Sequence, residues 1–155
     1  MYLKELDPTG FIIYSNFETS RKSQDLRSNP AASLTFYWRE VERQVRVEGV
    51  TERLSAEESQ TYFDTRIRGS RVGAWASRQS EVIEDRNVLE ERVNEVERRF
   101  EGQDKIPVPE FWGGLRLKPL YVEFWQGRES RLHDRFVYER ESVESEEWTV
   151  KRLSP

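Results

Sequence analysis

The sequence has no cysteine and a single histidine, His133. Lack of cysteine excludes disulfides, thiolate metal sites and cysteine nucleophiles, and it goes with a reducing compartment. One histidine with no cysteine argues against a zinc site. No apolar run approaches membrane-spanning length. The opening Met1-Tyr-Leu-Lys4 enters a strand-like pattern directly, with neither the basic nor the apolar region of a signal peptide, so a soluble cytoplasmic protein is expected. Net charge is only -4, and there is no basic surface of the kind duplex nucleic acid needs; neither nucleic acid nor a membrane is an expected partner. Also missing are the Gly-x-Gly-x-x-Gly fingerprint, a phosphate loop ending Gly-Lys-Ser/Thr, and a Gly-x-Ser-x-Gly elbow that would let His133 serve a serine triad.

What remains is 155 residues, 35% apolar and 35% charged, which suits one domain over 1–155 with a modest core. Tyr2 to Leu6 and Phe11 to Asn16 flank Asp7-Pro8-Thr9-Gly10, which fits a hairpin with a type I turn. Ser20 is placed to cap a short helix ending at Asn29-Pro30. Ala31 to Trp38 and Arg43 to Leu54 read as strands rich in β-branched and aromatic residues. Ser55-Ala-Glu-Glu58 has capping-box spacing, so a helix is expected towards Arg66. Gly69 to Ser80 reads as a segment whose small residues allow close backbone approach. Leu89, Val93, Val96 and Phe100 mark an amphipathic helix from about Asp85. Further strands are expected at Leu115 to Leu117, Tyr121 to Gln126, Arg135 to Glu141 and Trp148 to Leu153, with the Glu-rich stretch from Glu141 to Glu147 as a solvated connection.

Three groups of residues carry chemistry. Arg21 and Lys22 fall in the first turn of the helix that Ser20 caps, where free N–H groups and two cations suit a phosphate; on local grounds two solvated cations are the simpler reading. Tyr62 and Arg66 lie one turn apart with Ser70 soon after, a set that fits a phosphate clamp or a tyrosine packed on an arginine stem. Arg131, His133 and Arg135 alternate, so on an extended backbone all three point to one face. Such a row suits a planar anion, and it also suits a wet strand face.

In their order and spacing, several motifs together resemble one family, the pyridoxamine 5′-phosphate (pyridoxine 5′-phosphate) oxidases. They are Tyr14-Ser-Asn, Ser20-Arg-Lys22, Arg43-Gln-Val-Arg-Val-Glu-Gly49, Tyr62-Phe, Gly73-Ala-Trp-Ala-Ser-Arg-Gln-Ser80, Phe111-Trp-Gly-Gly114, Glu123-Phe-Trp-Gln-Gly127, Arg131-Leu-His-Asp-Arg135 and Arg152-Leu-Ser-Pro155. The resemblance covers essentially the whole chain.

It implies a mainly β fold with flanking helices, an FMN-binding split β-barrel that forms a homodimer with FMN at the subunit interface. The implied reaction of vitamin B6 salvage oxidises pyridoxine 5′-phosphate or pyridoxamine 5′-phosphate to pyridoxal 5′-phosphate, with O2 as acceptor and H2O2 released. Matched position by position, Tyr14, Ser15, Arg21, Lys22, Gln44, Gln79, Ser80, Trp125 and Arg135 are similar to FMN contacts. Lys4, Tyr62, Arg66 and Ser70 match the substrate-phosphate clamp, and Arg131 and His133 match the catalytic pair over the substrate ring.

The chain departs from the family pattern in three places. An FMN-phosphate Arg five residues before the position of Lys4 falls ahead of Met1, so an N-terminally short member is expected. Ile67 stands where the family has Pro after the clamp Arg, removing a fixed φ. One extra residue lies between Asn16 and Arg21. Two other readings stay open: a protein that binds FMN or pyridoxal phosphate with weak or no turnover, and a plain interaction domain that binds no FMN.

Overall fold

The computed structural model describes residues Met1–Pro155. The chain divides into two compact units. The first comprises Met1–Lys4, Ile12–Asn29 and Arg53–Leu115; the second comprises Glu5–Phe11, Pro30–Glu52 and Arg116–Pro155.

The second unit holds residues of seven strands: β1 (Glu5–Asp7), β2 (Gly10–Asn16), β3 (Ala31–Trp38), β4 (Arg43–Arg53), β5 (Trp112–Gln126), β6 (Asp134–Glu139) and β7 (Thr149–Leu153). They follow the order β1-β2-β5-β4-β3, with β6 paired to β5 and β7 to β6, so the order does not return on itself. The molecule is therefore mainly β with flanking helices, as expected.

Local chemistry fixes the hairpins. Asp7 Oδ1 accepts from the Thr9 and Gly10 N–H groups and the Thr9 hydroxyl, which closes the β1–β2 turn. Asp7 Oδ2 accepts from Arg116 Nε and Nη2 at 3.1 and 2.7 Å. Glu139 pairs with Thr149 across the Glu-rich connection, which is largely exposed.

Two strand expectations are corrected. β1 is shorter than Tyr2 to Leu6, although the Lys4 N–H still bonds Ile12 O at 3.0 Å. The strands expected at Leu115 to Leu117 and Tyr121 to Gln126 are one strand of 15 residues that runs through Pro119. A methyl group on Gly49 would stand 1.9 Å from Lys118 O, so glycine alone permits the backbones to pass there.

In the first unit, α1 (Arg21–Ser28) is capped by Ser20, whose side chain accepts from Ser23 N–H. The capping box of Ser55 and Glu58 opens α2 (Ala56–Asp64), and Asp85 caps α4 (Arg86–Arg99). The core of this unit is Phe63, Val72, Ala74, Phe100, Ile106 and Trp112, with Val93 and Val96 of α4 packed on it. Burial of a side chain such as Phe63, fully enclosed, stabilises by about 1.5–3 kcal/mol.

Gly69 to Ser80 is corrected as well. Most of it forms a helix, α3 (Arg68–Ala76), and a methyl group at Gly69 or Gly73 would meet open space rather than a close backbone. The helix forms because Val72, Ala74 and Ala76 are buried, while Arg68 donates to the carbonyls of Gln103 and Phe100 at 2.7 and 2.8 Å. No helix is long and apolar enough to cross a membrane.

Candidate functional site

The start of α1 gathers five of the expected FMN residues. Gln79 Oε1 accepts from Ser15 Oγ at 2.9 Å and from Lys22 Nζ. Two donors on the same oxygen fix the amide orientation, so the Gln79 nitrogen is left to donate outward. Ser80 holds φ at 71°, and its hydroxyl accepts from the Arg21 N–H at 3.3 Å. The Thr19 hydroxyl donates to Gln79 O at 2.8 Å, tying the same loop to the start of the helix. Burial lowers the pKa of Lys22, whereas the Arg21 side chain is largely exposed and reaches only Asp25 at 3.9 Å. Serine hydroxyls, an amide and two cations at a capped helix start form a donor set suited to a phosphate ester.

Tyr14 lies beside this cluster in an aromatic stack. Its ring centroid is 3.7 Å from that of Tyr62 with planes 13° apart, and Trp112 follows 5.6 Å from Tyr14. Arg66 closes the stack, its guanidinium carbon 4.7 Å from the Trp112 centroid. The helix expected to carry Arg66 ends at Asp64, so Tyr62 and Arg66 do not share a helix face; the Arg66 N–H bonds Phe63 O just beyond the helix end. Arg66 Nη1 is buried with no hydrogen-bond partner. Burial lowers the guanidinium pKa, and the neighbouring Tyr62 opposes this in part. A partly desolvated cation with one buried donor lacking an acceptor is costly, and is the kind of group an incoming anion satisfies.

The other two residues expected in the clamp are less tightly joined. Ser70 lies near the start of α3, its N–H bonded to Ile67 O, and the exposed Lys4 has its ammonium 5.4 Å from the Tyr2 ring. No hydrogen bond links either to Arg66.

The second unit carries the remaining residues. Gln44 and Trp125 line one cavity of about 600 Å³, together with Trp38, Val45 and Phe136. Arg135 donates from Nε and Nη2 to the two oxygens of Glu123 at 2.8 and 3.0 Å, and from Nη1 to Ser154 O. Glu123 is 5% exposed and also accepts from Arg46 and Tyr121. Its carboxyl is held down to about 2, chiefly by Arg135 and further by Arg46 and Tyr121, against the upward pull of burial. This hub went unnoticed in the sequence because Glu123 and Arg46 are far apart in the chain.

The expected row of Arg131, His133 and Arg135 on one extended face is overturned. Glu129–Arg131 is a short turn in which Ser130 and Arg131 take φ of 55° and 61°, and only Arg135 lies within a strand. Arg131 is exposed, and His133 packs its ring 4.7 Å from Trp125. No glycine marks this left-handed turn, which is why the alternation looked extended.

A family model described as "Pyridoxamine 5′-phosphate oxidase" matches residues 1–100, and one described as "Pyridoxine 5′-phosphate oxidase C-terminal dimerisation region" matches residues 112–155. Pyridoxamine 5′-phosphate oxidase of Saccharomyces cerevisiae is 55% identical over 155 residues, spanning 100% of this chain and 68% of that one. Pyridoxine/pyridoxamine 5′-phosphate oxidase of Rubrobacter xylanophilus is 56% identical over 153 residues, spanning 99% of this chain and 68% of its own. Among solved structures, PhzG from Burkholderia lata in complex with tetrahydrophenazine-1-carboxylic acid aligns with a TM-score of 0.86 at 30% identity, covering 99% of this chain and 72% of that one. A pyridoxamine 5′-phosphate oxidase-related, FMN-binding protein from Nostoc punctiforme aligns at 0.73 and 18% identity over 98% of this chain and 77% of its own, a likeness of fold alone.

Proposed function

The chain belongs to the pyridoxamine 5′-phosphate oxidase family, and from that premise we propose that it is an FMN-dependent oxidase of B6 phosphates. Pyridoxine 5′-phosphate and O2 give pyridoxal 5′-phosphate and H2O2; the amine substrate consumes water in addition and releases ammonia. The observation that carries this reading is Arg66, a half-buried guanidinium set against the Trp112 ring with its Nη1 buried and unsatisfied.

Arg66 and Tyr62 bind the substrate phosphate, with Ser70 and Lys4 as further donors. Binding energy gained there, away from the reacting C4′ carbon, holds the ring in place for reaction. Arg131 and His133 orient the ring. The donor set of Ser15, Arg21, Lys22, Gln79 and Ser80 fits the phosphate of FMN, and Tyr14, Gln44, Trp125 and Arg135 are assigned to the same cofactor. Arg135 has three of its five N–H groups engaged by Glu123 and Ser154, which fixes the fork and leaves two donors. When bound, FMN supplies the two-electron acceptor that no side chain of the protein can provide.

The active form in this reading is a cytoplasmic homodimer with FMN at the subunit interface, and residues 1–155 act as one functional domain. Supporting self-association, Phe124, Phe136 and Tyr138 on paired strands are 46%, 39% and 40% exposed, within the region that the dimerisation model matches.

Anaerobic mixing of the FMN-loaded protein with pyridoxine 5′-phosphate tests the proposal. Bleaching of the visible flavin band is expected, followed by recovery of the band and release of peroxide on admission of air. Tight FMN binding without bleaching would replace the oxidase with a flavin-binding protein.

A further inference from the structure

Phe111-Trp-Gly-Gly114 holds none of the residues assigned to cofactor or substrate, yet it sets a ring against two of them. Two contacts fix the backbone here. The Trp112 N–H bonds Pro109 O at 2.9 Å, and Ser59 Oγ of α2 accepts from the Gly114 N–H at 3.1 Å. A methyl group on Gly113 would stand 2.7 Å from that same Ser59 Oγ, so the start of β5 lies this close to the helix only with glycine there. Ser59 is one turn before Tyr62 and Phe63. The docking therefore brings the Trp112 ring to both, 6.3 Å from Tyr62 with planes 10° apart and 5.1 Å from Phe63 edge-on.

The side chain of Arg66 makes no hydrogen bond and no ion pair within the chain. Rings alone hold it: its guanidinium carbon lies 4.7 Å from the Trp112 centroid and 5.5 Å from that of Phe63. A long arginine side chain gives up much rotamer freedom when an anion fixes it, so a fork held in advance binds more tightly than a free one. Two kinds of group can hold it. A carboxylate does so by occupying N–H donors, as Glu123 does for Arg135. A ring does so through the face of the guanidinium and leaves the in-plane N–H donors to a phosphate. The Trp112 ring is buried at 8% exposure, which strengthens its hold on the cation.

We propose that Trp112 is the positioning residue of the substrate-phosphate clamp, its ring holding Arg66 by the guanidinium face and backing Tyr62, so that both meet the phosphate already oriented. Trp112 acts through these two residues and does not itself touch the phosphate. A purely structural role in the core would be served by any large apolar side chain; holding a cation by its face requires an aromatic ring. The inference rests on the reading above that Arg66 takes the substrate phosphate.

Binding is read without turnover in FMN-loaded protein whose flavin has been photoreduced under argon, since reduced flavin takes no electrons from substrate. Calorimetric titration with pyridoxine 5′-phosphate compares Trp112→Phe, which keeps an aromatic face, with Trp112→Leu, which keeps apolar bulk alone. Each is made in the wild-type and in the Arg66→Met background. In the wild-type background Trp112→Leu should weaken binding about five- to tenfold and Trp112→Phe about two- to threefold, the scale of a partly desolvated cation–π contact. With Arg66→Met there is no cation to hold, and neither substitution should weaken binding further. Equal losses in the two backgrounds would show that Trp112 only supports the fold, overturning the positioning role while Arg66 keeps the phosphate. If Trp112→Leu does not fold, Trp112→Phe decides alone: a loss that vanishes without Arg66 supports the proposal, and an additive loss overturns it. An Arg66→Met protein that binds pyridoxine 5′-phosphate as tightly as wild type would overturn the phosphate clamp and this inference together.

Discussion

The guanidinium carbon of Arg66 lies 4.7 Å from the centroid of the Trp112 ring, and its Nη1 is buried with no acceptor. Packing on the aromatic ring stabilises the cation, while the missing acceptor keeps it poised for an anion.

This relationship separates function from stability. Arg66→Met keeps most of the packing and removes the desolvated charge, so the protein without substrate should melt at the same temperature or higher. The KM for pyridoxine 5′-phosphate should rise about ten- to a hundredfold, since a charge-assisted contact is worth roughly 1.5–3 kcal/mol. Steady-state kinetics and an FMN titration check this together; an equal loss of FMN affinity would place Arg66 at the cofactor instead.

Glu123 makes stability depend on acid. Its carboxyl sits at about 2 in the fold against an ordinary 4.5. A lowered carboxylate contributes stability that is fully present above about pH 5 and is lost as pH falls from there through about 2. Glu123→Gln should cost about 1–3 kcal/mol at neutral pH, a moderate figure because Arg46 and Arg135 are partly exposed and can rehydrate. In urea unfolding at stepped pH, the gap between wild type and variant should narrow below pH of about 5. Parallel curves down to the acid limit would show that the hub is not the titrating element.

Glycines divide by what surrounds them. Gly49→Ala would drive a methyl group to 1.9 Å from Lys118 O and should destabilise by about 3 kcal/mol or more, or prevent folding. Gly73→Ala, inside α3 with open space around it, should raise stability of the ligand-free protein by about 0.5–1 kcal/mol. Thermal melts of both variants decide the matter, and a stabilised Gly49→Ala would contradict so close an approach of Lys118 O to Gly49.

Phe124→Glu addresses the dimer. Phe124 is 46% exposed, meets Tyr138 edge-on at 5.8 Å and lines the cavity that holds Gln44 and Trp125, so an FMN titration accompanies the measurement. Sedimentation should show a shift from dimer to monomer with the fold retained. A variant that remains dimeric would move the interface elsewhere.

Much of the local structure was legible in the sequence because its causes are local. Ser20, the Ser55–Glu58 capping box and the Asp7 turn act within three residues of themselves, and the spacing of Leu89, Val93, Val96 and Phe100 states the buried face of α4 directly. The family motifs likewise include the residues gathered around Gln79.

What the tertiary structure alone decided depends on partners distant in sequence or on unmarked backbone. α3 contains two glycines and lacks a side-chain cap, and it is held by burial of Val72 and by carbonyls more than thirty residues away that accept from Arg68. Glu123 gains its low pKa only where Arg46 and Arg135 converge on it. The row from Arg131 to Arg135 is broken by left-handed residues that are not glycine, and that same turn returns His133 to the Arg128 N–H. Residue types along the chain specified which chemistry was available; long-range packing determined which atoms were free to perform it.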